Sequence, residues 1–267
     1  MTTLLAVGAL GVANATPFDG GLITNGDFSQ TSPAHTTPTQ FGTNSGSGST
    51  YGGGACNYGG NFISGWTGNT GYELWYPTAA AASATEPCTQ YGGETQVLSP
   101  IDAAPVGSGS FVGMDGISSP IPHASISQTV NGLTVGASYT VSFYWGSTQL
   151  ENRTGDTTEQ LQVSLGGQSA STAVNSIGTH GWSGWAPVSF SFTADSTSSV
   201  LEFLSIGTPN SLPPFAVLTG VSMTRNVPEP PELAMFGGGL LGLGLLIMAA
   251  RRREMHRRDA DGNRSIV

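Results

Sequence analysis

Between Tyr139 and Trp145 the side chains alternate, with Tyr139, Val141, Phe143 and Trp145 on one parity and Thr140, Ser142 and Tyr144 on the other. An α-helix would scatter these residues around its circumference, whereas a strand sends successive side chains to opposite faces and collects the aromatics on one. Leu161, Val163 and Leu165 repeat the period, as do Val188, Phe190 and Phe192. Shorter runs containing Phe111, Val112 and Met114, then Ala124, Ile126, Gln128 and Val130, are separated by Pro and Gly. Residues 200–206 are almost continuously apolar, with Glu202 the odd member, and read as a central strand; residues 217–223 close the series. No amphipathic helix interrupts it. The spacing predicts an all-β fold, an antiparallel jelly-roll sandwich of about eight to ten strands over residues 16–226.

The region before residue 111 is less regular. Leu22 and Ile23 open a strand, Asn25-Gly26 permits a turn, and Phe28 returns to the core. Residues 31–61, crowded with Thr, Ser, Gly and Pro, read as a long loop or mobile excursion. Residues 72–76 (Tyr-Glu-Leu-Trp-Tyr) are a further strand, Val97-Leu98 a short one, and the alanines at 79–82 a loop.

Charge narrows the partners. The chain has no lysine, and between residues 16 and 226 only Arg153 and Arg225 oppose twelve acidic residues. Such a surface repels phosphate backbones, which argues against nucleic acid. Solubility must come from Ser, Thr, Asn and Gly.

Both ends carry addressing signals. Residues 4–13 are a short apolar run followed by Ala13-Asn14-Ala15, the pattern of a secretory signal peptide cut after Ala15, residues 1–15. Met1-Thr2-Thr3 lacks the usual basic residue, so the true start is expected upstream. Residues 233–250 hold no charge, and as a helix of roughly 27 Å they match the bilayer core. Arg251, Arg252 and Arg253, with Arg257 and Arg258 in the basic tail 254–267, keep that end in the cytoplasm. Everything before Val227 then lies across the membrane.

Val227-Pro228-Glu229-Pro230, the apolar span, Gly-Leu-Leu-Gly-Leu-Gly at 239–244 and the arginine cluster resemble the PEP-CTERM sorting signal of exported bacterial proteins. The resemblance covers residues 227–253. It implies that an exosortase-type membrane protease recognises Pro228, Glu229 and Pro230, and that the upstream domain, anchored transiently in the inner membrane, passes to the cell surface or outside.

A second resemblance covers most of residues 20–225. Asn25-Gly26-x-Phe28, Gly65-Trp66, the run from Ser127 to Leu133, Gly136-x-x-Tyr139-x-Val141-x-Phe143 and the late Val217-Leu218-x-x-Val221-Ser222 resemble the galactose-binding-like jelly rolls of carbohydrate-binding modules. Related sequences often carry Glu after the early Phe and Asp after the late Leu, near a structural calcium ion. Here Ser29 and Thr219 stand instead, which removes two oxyanions from that site.

Cys56 and Cys88 are the only cysteines, and outside the cytoplasm they are expected to pair. Closing a loop of about thirty residues stabilises a fold by roughly 3–4 kcal/mol in the chain-entropy model. No catalytic residue stands out. His35, His123 and His180 are scattered and read as exposed loop residues, and no Gly-x-Ser-x-Gly, His-Glu-x-x-His or phosphate-cradling loop occurs; Asp259-x-Asp261-Gly262-Asn263 matches half of a calcium loop but lacks the closing Glu. Glu73, Glu86, Glu94 and Asp115 are acids a glycan hydrolase or lyase would have to bring together. Glu151, Asp156 and Glu159 around Arg153 read as a solvated hairpin loop.

Aromatic side chains are the better lead, because sugar rings pack their C–H faces on Trp and Tyr. Trp66 and Trp145 fall on core-facing patterns. Trp75, Tyr76, Tyr91, Trp182 and Trp185 lie at strand ends or in loops and are the candidate glycan contacts. The composite expectation is an exported surface or matrix protein that binds extracellular polysaccharide weakly. Its rivals are a structural matrix protein without ligand and a glycan-cleaving enzyme.

Overall fold

The computed structural model describes residues 18–42, 60–84 and 97–227, with single positions 248, 251 and 252. The signal-peptide segment, Cys56, Cys88, Tyr91, Glu86, Glu94, Pro228, Glu229, Pro230 and Arg253 lie outside the described residues, as does all of the span 233–250 except Met248. The chain divides into two compact units, Met1–Asn226 and Val227–Val267. Of the second, Met248, Arg251 and Arg252 are helical and exposed. Among the described residues no helix is long and apolar enough to cross a membrane.

The first unit is an antiparallel two-sheet sandwich. Its strands are β1 (Thr39–Phe41), β2 (Thr67–Gly68), β3 (Glu73–Tyr76), β4 (Phe111–Asp115), β5 (Ser125–Asn131), β6 (Ser138–Gln149), β7 (Thr157–Leu165), β8 (Gln168–Ser171), β9 (Asn175–Ile177), β10 (Ala186–Thr193), β11 (Ser198–Thr208) and β12 (Pro214–Arg225). One sheet runs β1-β3-β4-β12-β6-β10; the other runs β2-β5-β11-β7-β8, with β9 also paired to β7. The described strands number twelve, above the expected eight to ten, because β1, β2, β8 and β9 are only two to four residues long and give no periodic signal. The expected strand at Leu22-Ile23 is a turn whose neighbour Gly21 makes a lone bridge to Met223. Leu98 likewise makes only a bridge to Leu150. Ala79–Ala82 is a helical turn, α1, because the Thr78 hydroxyl accepts from the Ala81 N–H at 3.1 Å and caps it.

The alternation in β6 does what its period requires. Tyr139, Val141, Phe143 and Trp145 enter the core between the sheets, where Phe143 meets Phe203 edge-on at 5.1 Å. In β3, by contrast, all four residues are buried. Trp75 faces the inter-sheet core, while Leu74 and Tyr76 face a second apolar cluster on the outer side of the same sheet. That outer cluster, with Phe111, Leu150, Phe215 and Val217, lies beneath Ala79 and Ala82 of α1, Ile101, and Trp182 and Trp185.

β10 is an edge strand without a charged residue, the kind of edge that invites pairing with another chain. Its end is closed by a side chain: the Gln168 amide donates to the Thr193 carbonyl and accepts from the Thr193 N–H at 3.1 Å.

Candidate functional site

The structure separates the aromatic candidates. Trp75 is 2% exposed and Tyr76 fully buried. Trp75 donates its indole N–H to the Phe28 carbonyl at 2.8 Å, and Tyr76 stacks on Phe111 at 5.0 Å. Neither offers a face to a sugar, so both are corrected to core residues. Their strand is covered on both sides, and nothing in five residues of sequence reveals the second cover. Trp66 and Trp145 are buried, as their pattern predicted.

Trp182 and Trp185 are half-buried on the outer face of the first sheet. Their rings meet edge-on at 5.3 Å, and both N–H groups converge on one residue: Trp182 donates to Asp102 Oδ2 and Trp185 to the Asp102 carbonyl, each at 3.0 Å. Trp182 lies directly over Gly146, where any Cβ would strike the ring. The segment is fastened to β6 by Ser183, whose hydroxyl accepts from the Ser147 N–H at 2.8 Å and whose N–H donates to the Ser147 carbonyl at 3.1 Å. With their polar atoms committed, the indoles have only apolar ring surface to offer.

Beside them the same sheet face becomes polar. Tyr144, half-buried, stands opposite Pro187 on β10 and Thr219 on β12. Its ring rests on Gly220, in a bulge between Thr219 and Ser222 where the backbone takes φ +64°. Beyond Tyr144 come rows of hydroxyls. Ser142 and Ser189 bond at 2.7 Å, Thr140 donates to Asn226 at 2.8 Å, and Ser222 and Thr224 continue the rows on β12. Side chains two apart on one strand face are about 7 Å apart, so aromatic and hydroxyl rows follow each other at roughly the scale of a sugar ring. Asp102 and Tyr144 are absent from the sequence-derived set. Tyr144 was legible, since the alternation places it with Thr140 and Ser142, away from the core.

Acidic residues gather elsewhere. Glu73, Asp115 and Glu159 are all buried, at 0%, 3% and 1% exposure. Glu159 is therefore no part of a solvated hairpin, although Glu151 and Asp156 are exposed as expected. Glu159 Oε1 accepts from the Ser205 hydroxyl at 3.0 Å and Glu73 Oε1 from the Ser125 N–H at 3.2 Å, while the second oxygen of each has no hydrogen-bond partner among the described residues. Burial pushes all three carboxyls up, Asp115 to about 7, with Asp115 adding repulsion to the other two. Closed off from solvent, Glu73 and Asp115 cannot reach a glycan. Among the described residues no three His, Cys, Asp or Glu side chains are grouped to hold a metal ion.

The residues at the place of the structural calcium do not fit that ion. The buried Thr219 hydroxyl donates to the Ser110 carbonyl at 2.8 Å, and the exposed Ser29 donates to Asp27 Oδ1 at 2.9 Å, so hydroxyls already bonded to protein atoms stand at the positions of two carboxylates. The histidines differ from one another. His180 is exposed, but His35 packs its ring on Phe62 at 4.0 Å, and His123 Nδ1 bonds the Gly116 carbonyl at 2.8 Å.

A family described as "Protein of unknown function (DUF642)" matches residues 120–214. No curated protein matches the chain. Among solved structures, TmCBM61 in complex with beta-1,4-galactotriose is similar at 16% identity over 61% of this chain and 90% of that one, with a TM-score of 0.35. The CBM22-2 xylan-binding domain from Paenibacillus barcinonensis Xyn10C is similar at 14% identity over 61% and 93%, TM-score 0.32. The N-terminal cellulose-binding domain of Cellulomonas fimi beta-1,4-glucanase C shares 13% identity over 80% and 99%, TM-score 0.29. At such scores no site can be carried across, and the candidate site stands on this chain's own geometry.

Proposed function

We propose that this chain is an exported carbohydrate-binding sandwich that takes up an uncharged polysaccharide on the outer face of its first sheet, along Trp182, Trp185, Tyr144 and the hydroxyl rows beyond. The observation that carries this reading is the aromatic pair with both N–H groups held by Asp102, half-exposed at the edge of a charge-free hydroxyl surface. Ring stacking supplies affinity there, on the order of 1 kcal/mol per aromatic, and hydroxyls orient the sugar. Binding by one such site is weak, near millimolar, and many tethered copies are needed for retention on a matrix.

The address rests on the sequence. Pro228, Glu229 and Pro230, the apolar span 233–250 and the arginines after it support transient anchoring in the inner membrane and processing by an exosortase-type protease. Replacing Glu229 with Ala is expected to leave full-length protein in the membrane fraction; unchanged processing would refute the assignment.

The burial of Trp75 and Tyr76 favours a second reading, a structural matrix protein without a ligand. Affinity electrophoresis of the full-length chain through gels containing β-1,4-galactan or xylan separates the two. The binding reading expects salt-insensitive retardation that Trp182→Ala reduces. Free migration in every gel at high polysaccharide leaves the structural reading.

A further inference from the structure

The outer face of the second sheet carries a groove of roughly 590 Å³, between the 61–67 segment and the side chains of Ser127, Thr129 and Val200. That volume falls within the range of about 300–1,000 Å³ typical of small-ligand sites. Its chemistry is uniform: no charged side chain lines it. Val200, 50% exposed, forms an apolar floor, and hydroxyls surround it. The hydroxyls of Ser64, Thr67 and Thr129 have no hydrogen-bond partner among the described residues.

The walls are fixed. The Gln128 amide accepts from the Thr24 N–H at 2.8 Å and donates to the Thr24 and Gly65 carbonyls at 2.9 Å each, tying two loops to β5. Trp66 is anchored by its N–H to the Asn25 carbonyl at 3.0 Å. The turn carrying Ser64 and Thr67 is therefore held before any ligand arrives, which lowers the ordering cost of binding. Uncommitted hydroxyls around an exposed aliphatic floor, with no charge, match a ligand that presents hydroxyls at its rim and C–H bonds on its face. A charged ligand would find no counter-charge, and a purely apolar one would leave the rim hydroxyls unpaired.

We propose that this groove is a second saccharide site, taking a short stretch of an uncharged glycan, so that each chain holds two glycan segments on opposite sides of the sandwich and cross-links them. The inference rests on the carbohydrate-binding reading above. Opposition follows from the topology. Trp182, Trp185 and Tyr144 stand on the outer face of the sheet containing β6 and β10, the groove on the outer face of the sheet containing β5 and β11, and the core lies between. Two sites pointing apart cannot both engage one short segment, so occupancy of both joins separate chains or distant parts of one.

The test uses the full-length chain in mild detergent, with soluble β-1,4-galactan and xylan as probes. Val200→Asp removes the apolar floor, and Thr129→Val removes a rim hydroxyl at constant shape; both residues are exposed, so the core is untouched. In affinity electrophoresis, Val200→Asp and Trp182→Ala should each lose severalfold in retardation, and the double variant should migrate as in a gel without polysaccharide. Thr129→Val should show a smaller loss. The unaltered chain should raise the viscosity of a polysaccharide solution, and neither Val200→Asp nor Trp182→Ala should do so. Retardation and viscosity unchanged in Val200→Asp and Thr129→Val overturn the second site while leaving the first. Retardation abolished by Val200→Asp and untouched by Trp182→Ala makes the groove the sole site and overturns cross-linking together with the first-sheet reading. An unaltered chain that is not retarded by either polysaccharide overturns both.

Discussion

The outer faces of the two sheets are built differently. On the β1-β3-β4-β12-β6-β10 sheet, half of the outer face is roofed by α1, Ile101 and the tryptophan pair over Leu74, Tyr76, Phe111 and Phe215. Among the described residues the other half has no such roof and carries rows of Ser and Thr. On the opposite sheet, β7 turns Thr158, Gln160, Gln162 and Ser164 outward beside Val200, Glu202, Leu204 and Ile206 of β11. One sheet thus gains a second apolar layer that includes Tyr76, Phe111 and Phe215, while the other keeps only an aliphatic row among polar side chains. A tryptophan in a strand roofed on both sides, Trp75, is a stability residue. A tryptophan in the roof itself, Trp182, keeps part of its ring in water.

The largest consequence should appear where that contrast is sharpest. Trp75→Ala removes a buried ring and its hydrogen bond to Phe28 and is expected to destabilise the fold by about 3–5 kcal/mol. Trp182→Ala, at the half-exposed position, should cost well under half of that; equal losses in urea titrations would erase the distinction between core and roof.

A change of similar size should follow pH. Glu73, Asp115 and Glu159 hold their protons more tightly in the folded chain, where burial disfavours the anion. Folding therefore takes up protons, and stability is greatest at the acid end, near pH 4, and falls as pH rises through about 7. Moving Asp115 from 3.8 to about 7 corresponds to on the order of 4 kcal/mol between those limits. Asp115→Asn should flatten the profile and leave the protein more stable than the unaltered chain at pH 8. A stability that climbs from pH 4 to 8 would contradict this account of the buried acids.

Smaller effects concern the surfaces. Trp182→Ala should weaken glycan binding by about fivefold, an energy near 1 kcal/mol, with no change in its salt dependence. Gln168→Ala should alter folding stability by only about 0.5–1 kcal/mol, because one surface amide is lost. It opens the end of the β10 edge, so size-exclusion profiles at rising concentration should show self-association absent from the unaltered chain.

Sequence alone settled the two-layer antiparallel architecture. The reason lies in β6, β7 and β10, where one face meets the core, the other meets water, and period two follows. Tyr139, Val141, Phe143, Trp145, Leu161, Val163 and Phe192 are all buried as their parity demands. The acidic, lysine-free composition is equally a property of the chain itself. Tertiary structure decided whatever depends on a second cover or a distant neighbour. β3 lost its alternation because α1 and the tryptophan segment roof it. The run 200–206, almost continuously apolar, turned out half-exposed, since Val200, Glu202, Leu204 and Ile206 share the outer face of β11. Glu159, read with Glu151 and Asp156 as solvated, is buried because its place in β7 sends it inward to Ser205, 46 residues away. Asp102 became part of the aromatic site only through contacts 80 and 83 residues along the chain. Local pattern reports the face a side chain takes within its own strand; what lies over that face is set by residues remote in sequence.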